Sequence, residues 1–177
     1  MQEEFGVTVE GRAFLLRPDT PKEGKVRELR PGESNDQLSE PLRTYAEEAK
    51  LVMRRPPIVS YTMPALQATE YAQEQGAFEP FHRGLYKAYW EHGKDLGDLD
   101  VIGEVAVECG LDWSELADRL RSGHYEEAVM GQYREAMEHG IRGIPAFRIG
   151  KYLFTGARPY QDFQEVMDRV LTEEEGG

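Results

Sequence analysis

The amino-acid sequence predicts an α/β protein in which a long helical block is inserted between sheet elements. Three observations predict it. Phe5-Gly6-Val7-Thr8-Val9 alternates apolar and polar residues, the period of a half-buried strand. From Leu42 to Gly140 the apolar residues instead recur at spacings of three and four, the period of helices with one buried face. Ala146-Phe147-Arg148-Ile149 and Tyr152-Leu153-Phe154-Thr155 then return to strand-like patterns on either side of Gly150-Lys151.

The elements follow in order. The opening strand is expected to run from residue 5 to residue 16, with Gly11 as a bulge where the alternation changes register. Arg17-Pro18 ends it. Residues 17–41 are rich in Pro, Gly and charge and poor in apolar residues, so a long surface loop is expected there. Pro41 can open a first helix through Tyr45, Ala49 and Val52, stopped by Pro56-Pro57. A second helix spans about Pro64 to Gln75, and Gly76 suits its C′ position. Phe78, Phe81, Leu85 and Tyr89 share one face of the next, and Leu99, Ile102, Val105, Ala106 and Cys109 one face of the helix after it. Asp112-Trp113-Ser114-Glu115 has the form of a capping box, and a further helix carries Ala128, Val129, Tyr133 and Met137 up to Gly140. The Gly-Lys step between the last two strands fits a two-residue type II′ hairpin. Pro159 opens a terminal helix with the stripe Phe163, Val166, Met167 and Val170, and the acidic tail is solvated.

Composition narrows the function. The chain has 177 residues, with 21 Lys and Arg against 33 Asp and Glu, a net charge of −12. That sign repels phosphate backbones, so no nucleic-acid partner is expected. A single cysteine, Cys109, excludes an intrachain disulfide and every Cys-rich zinc motif. No apolar run approaches a membrane span, and the acidic start lacks the basic and apolar regions of a signal peptide, so a cytoplasmic location and no membrane partner are expected.

Several stretches carry a family resemblance. Gly143-Ile144-Pro145-Ala146-Phe147, with the hairpin and terminal helix behind it, resembles the second half of a thioredoxin fold. Phe14-Leu15-Leu16-Arg17-Pro18-Asp19-Thr20-Pro21, the run Phe81 to Trp90, Cys109-Gly110-Leu111-Asp112 and Gly156-Ala157-Arg158-Pro159 all resemble the DsbA-like family. Within it they are most similar to the branch holding FrnE-type proteins and 2-hydroxychromene-2-carboxylate isomerases. The resemblance spans roughly Phe5 to Leu171. It implies a thioredoxin-like fold with an all-helical insertion (residues 42–140), followed by a cis-proline, hairpin and helix over residues 141–171, all in one domain. Members of the family begin with a strand and a Cys-x-x-Cys, or a serine-containing equivalent, at the first helix N-terminus, where a thiol's pKa falls. This sequence begins at what resembles the family's second strand, so the central strand and the redox motif are missing from it. The expectation is a chain N-terminally short of its ancestor, in which the edges beside the absent strand need a partner. A second copy of the chain is one such partner, making a homodimer an expectation.

The resemblance singles out Gly143, Ile144 and Pro145 as substrate-binding residues. It implies a cis bond at Ile144-Pro145 and an Ile144 backbone free to bind an extended peptide by strand addition. The plainer reading is that Pro145 starts a strand, where proline is tolerated. Cys109 sits on an apolar helix stripe and reads as core packing. His82, His92, His124 and His139 hold no three- or four-residue spacing, so no metal pair is expected, and His139 suits a helix C-terminus electrostatically. No catalytic residue is identified. The expected function is that of a DsbA-like thiol–disulfide oxidoreductase family member without dithiol activity in this chain. The alternatives are a glutathione-dependent isomerase of the same fold and a redox-inactive protein-binding module. The expected partner is a protein or peptide substrate or a glutathione-linked small molecule. No cofactor is expected beyond the glutathione the resemblance allows.

Overall fold

The computed structural model describes residues 1–29, 31, 34 and 38–175. In chain order its elements are α1 (Gln2–Phe5), β1 (Lys25–Val26), α2 (Leu42–Glu48), β2 (Ile58–Val59), α3 (Met63–Glu74), α4 (Phe78–Trp90), α5 (Leu99–Glu108), α6 (Trp113–Arg121), α7 (Glu126–Glu138), β3 (Ala146–Ile149), β4 (Tyr152–Thr155) and α8 (Tyr160–Glu175). They fall into two compact units: Met1–Leu16 with Gly131–Gly177, and Arg17–Met130.

The second of these units is helical, and its elements stop where local chemistry stops them. Gly76, Gly110 and Gly123 each take positive φ directly after a helix, and the following amide reaches back to close the last turn, as Ala77 N–H does to the Ala72 carbonyl at 2.8 Å. The capping box at Asp112 is present: its Oδ1 accepts the Glu115 N–H at 3.0 Å. The core is built by α3, α4, α5 and α6, where Ala68, Phe81, Ile102 and Leu116 are fully buried. Phe81 and Ile102 are periodic positions of the sequence, because burial of one stripe per helix is what stabilises short helices in water.

Two expectations for this unit differ from what is seen. The expected surface loop over 17–41 contains β1, which pairs antiparallel with β2, and it buries Thr20 and Leu38. Gly24 suits the approach to this pairing, because it takes φ 72 and a Cβ there would lie 3.0 Å from the Val59 carbonyl oxygen. The first helix ends at Glu48 rather than running past Val52. Lys50 takes φ 54, its N–H bonds the Glu47 carbonyl, and Leu51 N–H bonds the Ala46 carbonyl. That is a helix stop of the glycine type made by a lysine, so composition did not announce it.

The other unit contains the hairpin. β3 and β4 pair antiparallel with Ile149 opposite Tyr152, leaving Gly150-Lys151 as the two-residue turn. Gly150 alone of the two takes positive φ, at 56, the pattern of a II′ turn. Phe147 and Phe154 lie opposite each other, and Phe163 of α8 meets both edge-on at 4.8 and 5.1 Å. The aromatic trio seats α8 on the hairpin.

The expected strand over residues 5–16 does not form. Residues 2–5 are α1, held to α8 because Glu4 accepts hydrogen bonds from Tyr160 Oη at 2.6 Å and Gln164 Nε2 at 2.8 Å. Residues 6–16 join no ladder among the described residues, although Ala13 and Leu15 are buried. The Ala13 N–H goes to the Gln132 side chain at 2.5 Å instead of to a backbone carbonyl. A strand needs a neighbouring backbone, and alternation alone cannot supply one.

Candidate functional site

The segment that leads into β3 is positioned from both ends. α7 stops at a glycine motif in which Gly140 takes φ 78, Gly140 N–H bonds the Met137 carbonyl, and Ile141 N–H bonds the Ala136 carbonyl at 2.9 Å. Arg142 folds back, its Nη1 donating to the Met137 carbonyl at 2.7 Å. Beyond Gly143, the Ile144–Pro145 peptide bond is cis. The Pro145 carbonyl accepts the Gly156 N–H at 2.8 Å, which fastens the base of the hairpin.

Between these fastenings Ile144 is open. Its side chain is 47% exposed, and neither its N–H nor its carbonyl bonds another group among the described residues. Gly143 is half-buried, with nothing within 4 Å of where a Cβ would stand. β3 pairs with β4 along one edge, and among the described residues no strand lies along the other. The structure thus brings Gly143, Ile144 and Pro145 together as one turn before an open strand edge. Close by, Arg148 of β3 has its Nη1 3.1 Å from His139 Nε2, and His139 Nε2 lies 4.0 Å from Glu135 Oε1. That cluster was not legible in the sequence, because His139 and Arg148 are brought together only by the turn at Gly140.

Other chemistry-bearing residues hold structural positions. Cys109 closes α5 and packs half-buried against the helical core. Burial, with Glu108 beside it, pushes its thiol pKa up, the opposite of what a nucleophilic cysteine requires. His82 lies on the outer face of α4 between Phe78 and Tyr86, with ring centroids at 5.2 and 4.6 Å, and desolvation lowers its pKa. No group of three His, Cys, Asp or Glu side chains among the described residues could hold a metal ion. No described helix is long and apolar enough to cross a membrane.

A ββα unit entered through an X-Pro turn, with a mainly helical unit spliced into the same chain, defines a thioredoxin-fold protein of the helical-insertion type. The chain belongs to the DsbA-like thioredoxin domain family, whose profile matches residues 1–168. It is 24% identical over 181 residues to the YwbO protein of Bacillus subtilis strain 168, covering 96% of this chain and 83% of that one. Among solved structures it resembles a probable DsbA oxidoreductase from Streptomyces coelicolor, with a TM-score of 0.79 and 24% identity over 92% of this chain and 74% of that one. It also resembles a 2-hydroxychromene-2-carboxylate isomerase, with a TM-score of 0.64 and 17% identity over 76% of this chain and 66% of that one. At these identities the structural likenesses establish the DsbA-like thioredoxin fold, here with mostly helical content.

Proposed function

We propose that this chain is a peptide-binding member of the DsbA-like oxidoreductase and isomerase family that acts without dithiol exchange of its own. The observation that carries the reading is the Ile144 backbone, unbonded among the described residues, at the head of the β3 edge that no described strand covers. An extended peptide laid there gains main-chain hydrogen bonds and satisfies groups that a sheet interior would pair. One cysteine in 177 residues supplies no resolving thiol, so a mixed disulfide formed at Cys109 would have no intrachain exit. The reading places the chain in the cytoplasm, where a lone thiol stays reduced. A second copy of the chain is a further occupant of the same edge, and sedimentation over a concentration series tests it.

The test is a backbone-amide NMR titration with reduced, alkylated insulin B chain, run beside an insulin-reduction assay. The expected result is shifts at Ile144 and along Ala146–Ile149, with no catalysed turnover. Shifts elsewhere with none in residues 143–149 would overturn the binding site, and catalysed turnover would overturn the redox-inactive reading. Shifts at Ile144 with glutathione but not with the longer peptide would move the function to a glutathione-dependent isomerase.

A further inference from the structure

The hairpin has a second uncovered side. β4 pairs with β3 along one edge, and among the described residues no strand lies along the other. Opposed residues of an antiparallel pair alternate between those that exchange hydrogen bonds and those that do not. The tight turn between Ile149 and Tyr152 and the Gly156 N–H bond to the Pro145 carbonyl both mark bonded pairs, so Arg148 and Leu153 form a non-bonded one. The N–H and carbonyl of Leu153 therefore point away from β3, and neither bonds another group among the described residues. Thr155 points the same way, and its carbonyl accepts from Arg158 Nε at 3.2 Å.

Along that edge lies a cleft of about 280 Å³, lined by Leu153 and its strand neighbours, by Arg158, and by Asp162, Glu165, Val166 and Arg169 of α8. The α8 positions recur at spacings of three and four, so they share one helix face. The carboxylates around the cleft already have partners. Asp162 Oδ2 lies 3.7 Å from Arg158 Nη1, and Glu165 Oε1 accepts from Gln161 Nε2 at 3.2 Å. Glu173 Oε1 accepts from Lys151 Nζ at 2.9 Å and Tyr152 Oη at 2.8 Å. Arg169 is exposed and makes no hydrogen bond or ion pair among the described residues. Because Arg158 meets Thr155 and Glu173 meets Tyr152, α8 runs back along β4, and Arg169 stands toward the turn end of the cleft.

We propose that this cleft binds the C-terminal segment of an extended peptide. The peptide lies antiparallel to β4, so its chain ends toward the turn, where the Arg169 guanidinium takes the terminal carboxylate through paired N–H donors. The opposite direction would bring the carboxylate to Arg158, which is already engaged by Thr155 and Asp162. The penultimate peptide residue exchanges main-chain hydrogen bonds with Leu153. Phe154 meets Phe163 of α8, so Leu153 faces the other side of the hairpin. The peptide residues flanking the penultimate one therefore turn toward α8, where Val166 suits small apolar side chains. The net charge of −12 disfavours an acidic segment, so one terminal carboxylate on an otherwise neutral peptide is the fit. The site lies within the unit of Met1–Leu16 and Gly131–Gly177, on the far edge of the hairpin from Ile144, and is independent of the reading of that edge.

The experiment titrates the full chain with acetyl-Gly-Val-Thr-Val bearing a free C-terminal carboxylate, and with the same peptide amidated, read by backbone-amide and arginine Nε NMR. The Leu153 amide and the Arg169 Nε–H are expected to shift together and saturate. Amidation is expected to weaken binding roughly tenfold, the effect of one lost charge-assisted hydrogen bond. Arg169→Gln should weaken the free acid by the same factor and leave the amide unchanged, which removes the difference between the two peptides. Arg169 is exposed, so the variant should keep the melting temperature of the unaltered chain. Should it not fold, the acid–amide comparison in the unaltered chain still decides. Four results would each overturn the site: no shift at Leu153, equal binding of acid and amide, shifts confined to residues 144–149, or a preference for the acid that survives Arg169→Gln.

Discussion

A glycine inside a helix ordinarily destabilises it by about 1 kcal/mol relative to alanine, so replacing one should raise stability. Gly103, in the middle of α5, is expected to behave in the opposite way. A methyl group added there would lie 2.8 Å from Cε2 and 3.0 Å from Cζ2 of Trp113, the first residue of α6. Carbon atoms rest at about 3.5–4.0 Å, so the overlap is close to 1 Å against a rigid ring rather than a flexible chain end. Overpacking of this kind costs about 1–3 kcal/mol, which exceeds the propensity gain. Gly103→Ala should therefore lose about 1 kcal/mol net, or roughly 2–4 °C in melting temperature for a chain of this size. Gly131 in α7 is the control, because its nearest neighbour is an Arg134 side-chain nitrogen at 3.9 Å. Gly131→Ala should gain about 0.5–1 kcal/mol. Thermal melting by circular dichroism, with tryptophan fluorescence reporting on the indole, measures all three proteins. If Gly103→Ala is stabilised as much as Gly131→Ala, α5 and α6 do not approach as described and the reasoning fails.

Two further outcomes follow from ionisable groups whose surroundings raise their pKa. Tyr125 donates to Glu74 Oε2 at 2.5 Å and accepts from Arg119 Nη1 at 2.6 Å, and burial, with the Glu74 bond next, pushes its pKa up to about 12. Between the unfolded value near 10 and about 12 the folded chain keeps a proton that the unfolded chain has lost, so stability falls as pH rises through that window. Tyr125→Phe should make the fall shallower in urea melts across this range, and an unchanged slope would refute the assignment. Cys109, with its raised pKa, should react with Ellman's reagent more slowly than free glutathione at pH 8 and reach the free-thiol rate once urea unfolds the chain. Fast reaction in the folded protein would mean that the thiol is neither desolvated nor packed.

Much of this architecture is determined by the sequence alone. The stripes of α4 and α5, the glycine stops at Gly76, Gly110 and Gly140, the cap at Asp112 and the Gly150-Lys151 turn are local, because each depends on residues within one or two turns of one another. The substrate-binding candidates Gly143, Ile144 and Pro145 were legible only through family resemblance. Nothing in their spacing says that the Ile144 backbone stays unbonded among the described residues. Tertiary structure decided the rest. Among the described residues it brought no neighbouring strand to residues 6–16, so an alternating segment did not become a strand, and it brought one to Lys25–Val26, in a segment whose composition read as loop. It also left the buried Gln67 Oε1 without a hydrogen-bond partner among the described residues. Periodicity reports which face of an element is apolar; whether a backbone edge or a polar side chain finds its complement depends on what the rest of the chain brings to it.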